Sequence, residues 1–143
     1  MINLQFTSKR HKHHFNVEKE YINPNNKKLL AAIYLLTADK NVWMQCKRHI
    51  EENDIAFENI HPKNLSPSGY TYYLTAKGIL WHAESIELED LLDPFVISDE
   101  QMKIIMSAFA LVREYPFKRC ISRVKGVGGK NAHCKGTPKK DRK

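Results

Sequence analysis

The chain lacks any run that approaches the roughly 18 apolar residues a membrane span requires, because Lys27-Lys28 and Asp39-Lys40 bracket its most apolar stretch. The opening MINLQFTSKRHKHHF carries charge after its apolar start and no apolar region follows, which is not the layout of a secretory signal. Cysteine is scarce: Cys46, Cys120 and Cys134 are odd in number and sit at no framework spacing. A disulfide scaffold is therefore excluded, and a reducing cytoplasm is the simplest expected compartment. No CxxC or HxxxH pair is present, so His11, His13 and His14 with Cys120, His133 and Cys134 match no zinc template. His14 is expected to pack beside Phe15, with His11 and His13 facing solvent. Gly126-Val127-Gly128-Gly129-Lys130 lacks the Gly-Lys-Ser/Thr ending of a phosphate loop and reads as linker. Glu51, Glu52 and Asp54 read as a polar helix end, since no nucleophile or base accompanies them. No catalytic residue, cofactor or essential metal is expected, and no internal repeat is visible.

What is present is helical patterning. At 143 residues the chain has room for one domain with one modest core. Within Lys27–Trp43, Leu29, Leu30, Ile33 and Leu36 recur at helical spacing after Asn26, a suitable cap. Tyr34 and Leu35 fall on other faces, so this helix is apolar almost all round and is expected at the centre. Thr7 or Ser8 can cap an earlier helix ending near Tyr21, with Phe6 as a staple. Asn41 can cap a third helix that turns Val42, Trp43, Cys46, His49 and Ile50 inward. Ile55–Leu65 reads as an ordered connector with room for one short turn. Ser66-Pro67 starts a helix that presents Tyr70, Tyr73, Leu74, Lys77, Leu80 and Trp81, with Gly78 marking a close helix–helix approach. Ile86, Leu88, Leu91 and Leu92 form a short amphipathic turn. Ser98-Asp99-Glu100-Gln101 is a capping box ahead of a stripe of Met102, Ile105, Met106, Phe109 and Val112 that Pro116 stops. The expected fold is an all-α bundle of about five helices over 1–117, followed by a basic flexible tail over 118–143.

The net charge of +7 divides unevenly. The tail holds Lys118, Arg119, Arg123, Lys125, Lys130, Lys135, Lys139, Lys140, Arg142 and Lys143 against Asp141, or +10 − 1 = +9. The body holds 13 bases and 15 acids, or −2. Gly126, Gly128, Gly129, Gly136 and Pro138 leave the tail little apolar surface, so it is expected to be disordered. Those ten bases are the nucleic-acid-binding candidates, expected to contact a nucleic-acid backbone or an acidic host protein without sequence preference. No aromatic residue follows Phe117, which excludes base stacking by the tail.

The stretches Phe6–Phe15 (FTSKRHKHHF), the Asn-Pro break before Leu30–Asp39 (LAAIYLLTAD), Val42-Trp43, Arg48–Ile50 (RHI), Leu65–Trp81 and Ala110–Tyr115 (ALVREY) together carry a likeness. Over residues 4 to 115 the chain resembles an uncharacterised family of small proteins, a domain of unknown function carried by phages and conjugative elements of Gram-positive bacteria. The resemblance implies an all-helical fold and a mobile-element setting, with no activity attached. The tail lies outside it. The working expectation is a non-enzymatic binding protein that modulates a host protein or nucleoprotein machine, anti-defence roles included. A second resemblance competes. Ser66-Pro67-Ser68-Gly69 followed by Tyr72–Gly78 (YYLTAKG) is similar to the wing hairpin and following helix start of winged-helix DNA-binding regulators, which implies a strand over Tyr70–Leu74.

Overall fold

Asn26 caps the central helix, its side chain accepting from the Leu29 N–H at 3.2 Å. All eight residues from Leu29 to Leu36 are buried. Each large aliphatic side chain among them contributes about 1.5–3 kcal/mol by leaving water. The other elements exist to cover this segment, α2 (Lys27–Leu36), on every side. The computed structural model describes residues 4–81 and 86–114. In chain order it contains α1 (Lys9–Lys19), α2, α3 (Lys40–Cys46), α4 (Pro67–Trp81), α5 (Leu88–Leu91) and α6 (Asp99–Arg113), with single 3-10 turns at Lys47–His49 and Phe57–Asn59. No strand occurs among the described residues beyond an isolated bridge between Ile50 and Ile55. The fold is all-α. Residues 66–74 are helical from Pro67 onward, so the wing hairpin and the strand over Tyr70–Leu74 are corrected. The 117/118 boundary and every tail base lie outside the described residues.

Helices α4 and α6 form the main cover. The α6 helix runs against α2 in the opposite sense: Leu30 and Leu111 line one groove, while the Tyr34 hydroxyl bonds with Ser107. The capping box is present, with the Ser98 Oγ accepting from the Gln101 N–H at 3.2 Å and the Gln101 Oε1 accepting from the Ser98 N–H at 2.8 Å. The stripe, however, is out of phase with the expectation. Of its five residues only Ile105 is fully buried; Ile104, Ser107, Ala108 and Leu111 face the core, while Met106 and Phe109 look outward. The small residues Ser107, Ala108 and Ala110, set among Ile104, Ile105 and Leu111 on the inner face, allow a close approach to α2. Helix α4 repeats the pattern with Gly69, Thr71, Tyr72, Tyr73, Thr75 and Ala76 inside and Tyr70 half exposed. Its threonines enter without loss because Thr71 Oγ1 donates to the Pro67 carbonyl (2.9 Å) and Thr75 Oγ1 to the Thr71 carbonyl (2.8 Å).

A close approach occurs at Gly69, against the residue that caps α3, while Gly78 lines a cavity with Ile105 and Phe109 of α6. A Cβ at Gly69 would lie 3.1 Å from both Cγ and Oδ2 of Asp39. Asp39, rather than Asn41, caps α3 by accepting from the Val42 N–H at 3.1 Å. Trp43 is buried on α3. The connector after α3 is ordered by Gln45, whose amide donates to the Lys63 carbonyl and accepts from the Lys63 N–H at 2.8 and 2.9 Å. Trp81, partly exposed at the end of α4, donates its indole N–H to Asp54 at 2.9 Å.

Candidate interaction surfaces

Three places concentrate polar or ionisable side chains. The first is where the start of α1 meets the end of α2. A helix leaves its last carbonyls without intrahelical donors, and residues 7–11 supply them. Thr7 Oγ1 donates to the Ala38 carbonyl at 3.0 Å, Arg10 to the Thr37 carbonyl at 3.1 Å, and His11 Nε2 to the Tyr34 carbonyl at 2.8 Å. Arg10 also sets a cation at the negative end of the α2 dipole. Ser8 caps α1 by accepting from the His11 N–H at 3.1 Å. Phe6 closes the site, its ring packing against His11, Phe15 and Tyr34 with centroids 4.9, 6.1 and 5.8 Å away. The Tyr34 hydroxyl donates to the Gln5 carbonyl.

His11 is therefore fully buried, not solvent-facing as its sequence neighbours suggested. The Thr7 N–H donates to its Nδ1 at 3.0 Å. That fixes the neutral tautomer with the proton on Nε2, because a second proton on Nδ1 would face the Thr7 donor. Burial above all, then the neighbouring Arg10, holds the His11 pKa down to about 4 despite the bond to Tyr34. This constellation has the look of a catalytic cluster and the wiring of a joint. Cys46 is similarly withdrawn from chemistry: burial pushes its thiol up to about 12.

The second place is a basic face. His14 joins α1 to the turn after α3, its ring 6.3 Å from that of Trp43. Its pKa is lowered, chiefly by burial and then by Arg10, His13 and Lys47. His13 and Lys47 are exposed near it, with Glu18 beside Lys47, and Lys12 and Arg48 are exposed next to them in sequence. The body's charge of −2 thus conceals a local surplus of bases, which counting along the chain could not reveal because α1 and Lys47-Arg48 meet only in the fold.

The third place is its opposite. Between Lys77 and Lys103 the sequence has seven acids and no lysine or arginine. Among the described residues Glu87, Glu89, Asp90, Asp93, Asp99 and Glu100 belong to it. Interleaved with them, Leu88, Leu92 and Phe95 are 70%, 73% and 98% exposed. The short helix α5 does form, but its leucines at 88 and 92 are not packed inward as expected; only Ile86 and Leu91 turn toward the core, lining a cavity of about 220 Å³ with Ile105 and Phe109. Four residues give one turn, too short to carry an inward stripe. The acid run was readable in the sequence and could have flagged this surface.

A further groove of about 630 Å³ lies between α1, α2 and α6, lined by Phe15, Ile22, Leu30 and Leu111 with Lys19 and Glu114 at its rim. No three His, Cys, Asp or Glu side chains gather as a metal-binding group among the described residues. Likewise, no helix there is long and apolar enough to cross a membrane. The ten tail bases, with Cys120, His133 and Cys134, lie outside the described residues. Comparison of the chain with protein-family models, curated proteins and solved structures finds no match.

Proposed function

We propose that the protein is a non-enzymatic binding protein of a phage or mobile element, one that modulates a host protein or nucleoprotein machine and contacts phosphates through its basic tail. The sorting of charge on the body supports this reading. Bases gather on α1 and Lys47-Arg48, acids gather on 87–100, and the most reactive-looking side chains, His11 and Cys46, are buried. A surface so divided suits an adaptor that meets a polyanion on one side and a protein on the other. The mobile-element setting rests on the sequence resemblance alone.

Fluorescence-anisotropy titration of the full chain with duplex DNA of two unrelated sequences tests the phosphate half. Equal affinities are expected, falling with salt at a log–log slope of about −5 if roughly six bases neutralise phosphates. A strong preference for one sequence, or no binding at low salt, would remove that half. An affinity pull-down from host lysate with and without nuclease separates a protein partner, retained after digestion, from one bridged by nucleic acid.

A further inference from the structure

We propose that the acidic, apolar-studded face formed by residues 87–100 is a docking site for the chain's own basic tail, which it holds in competition with phosphate. Charge complementarity is the first argument. The tail carries +9, and the face carries six acids with no base among them. Attraction of that size acts over roughly 10 Å at moderate salt. The apolar residues match as well. Leu88, Leu92 and Phe95 are exposed on the face, and the chain beyond α6 offers Phe117 just before its first bases and Ile121 and Val124 among them. A purely electrostatic tether would need none of them.

Position is the second argument. Leu91 of α5 and Phe109 of α6 line the same cavity, so the α5 end of the face reaches the C-terminal half of α6, while Asp99 and Glu100 lie at that helix's start. The helix ends at Arg113, four residues past Phe109, or about 6 Å along its axis at 1.5 Å per residue. The 29 residues that follow Glu114 could span at most about 100 Å when extended, so reach is not limiting. A tethered segment of this kind meets its site at an effective concentration in the millimolar range. A free acidic or basic partner would have to exceed that to displace it, whereas a nucleic acid, with its dense phosphates, competes directly. The tail would then be released on the face's side only as it engages phosphate.

Docking itself does not depend on the proposed function; only the competition does. Zero-length carbodiimide cross-linking of the full chain, on an equal mixture of light and ¹⁵N-labelled protein, tests it. Tail lysines are expected to join Glu87, Glu89 or Asp90 within chains of one isotope, and excess duplex DNA should reduce those links several-fold. Links spread evenly over Glu51, Glu52 and Glu58 would overturn the proposal. Links of mixed isotope would overturn it in favour of a second copy as the occupant. As a second reading, the full-length Glu87→Gln/Glu89→Gln/Asp90→Asn variant, which alters only surface side chains, should bind duplex DNA about three- to tenfold more tightly at low salt, because more of the tail is free to bind. The gain should vanish at high salt. An unchanged affinity, in a variant whose circular dichroism matches the parent, would overturn the competition. If the chain binds no DNA at all, the cross-links still decide docking. If it binds DNA without those links, docking fails and the proposed function stands.

Discussion

Every residue of Thr7–His11, at the start of α1, is polar, and so are half of those in Glu87–Glu100, yet the first segment directs most of its polar side chains into the fold and the second directs them out. In the first, Ser8 caps α1, His11 bonds to the Tyr34 carbonyl of α2, and Thr7 and Arg10 bond to the carbonyls of Ala38 and Thr37 just past its end. Arg10 Nη1 is left as the one buried side-chain group there without a partner among the described residues. In the second, the side-chain bonds among the described residues are that of Asp93, which accepts from the Phe95 N–H at 2.9 Å, and those of the Ser98 capping box. Density of functional-looking residues is thus no guide to function. What matters is whether the hydrogen-bonding capacity of those residues is already consumed by the chain.

The sharpest way to break this contrast is to substitute His11. His11→Ala leaves a void under Phe6 and removes the donor from the Tyr34 carbonyl, and it should cost about 3–4 kcal/mol in urea denaturation. A loss below about 1 kcal/mol would show that the joint is not structural. Acid should act on the same point. The folded pKa of about 4 lies below the ordinary 6.5, so the unfolded chain binds the proton more readily. The stabilisation is complete above pH 6.5 and is lost as pH falls toward 4, by up to about 3 kcal/mol. His14, also lowered, adds in the same direction. His11→Leu should therefore flatten most of that pH dependence in denaturation midpoints and leave a small residue from His14.

Gly69→Ala is the intermediate case. Its new Cβ would press on Asp39 at 3.1 Å, disturbing the α3 cap, and a cost of about 1–2 kcal/mol is expected by the same measurement. The other side of the contrast predicts almost nothing. Phe95 is 98% exposed, so Phe95→Ser should change stability by less than about 0.5 kcal/mol.

Periodicity and capping chemistry made much of the fold legible. Asn26, the Ser98–Gln101 box and the all-round apolar α2 are where local signals placed them, because caps and helix propensity act within a few residues. What failed was phase. For α4 and α6 the periodic apolar stripe is only partly the inner face: Tyr73 and Ile105 are buried, but Tyr70, Met106 and Phe109 turn outward, while Gly69, Ser107 and Ala108 stand inside beside Tyr72, Ile104 and Leu111. The burial of His11 was equally hidden, because its partner at Tyr34 is 23 residues away. Of the interaction surfaces, the acid run needed only counting. The basic face needed the packing of α1 beside Lys47.

The two tryptophans give the molecule a built-in optical gauge. Trp43 is almost wholly enclosed, with the His14 ring 6.3 Å away, whereas Trp81 meets solvent and is tied to a carboxylate. The enclosed indole should emit toward the blue and resist acrylamide, and the outer one should emit toward the red and be quenched by it. Protonated imidazole quenches indole emission, so the blue component should dim as His14 takes up its proton, at a pH below that of free histidine. Light emission alone would then separate a proton arriving at the surface of α1 from the collapse of the joint beneath it, without a label being attached.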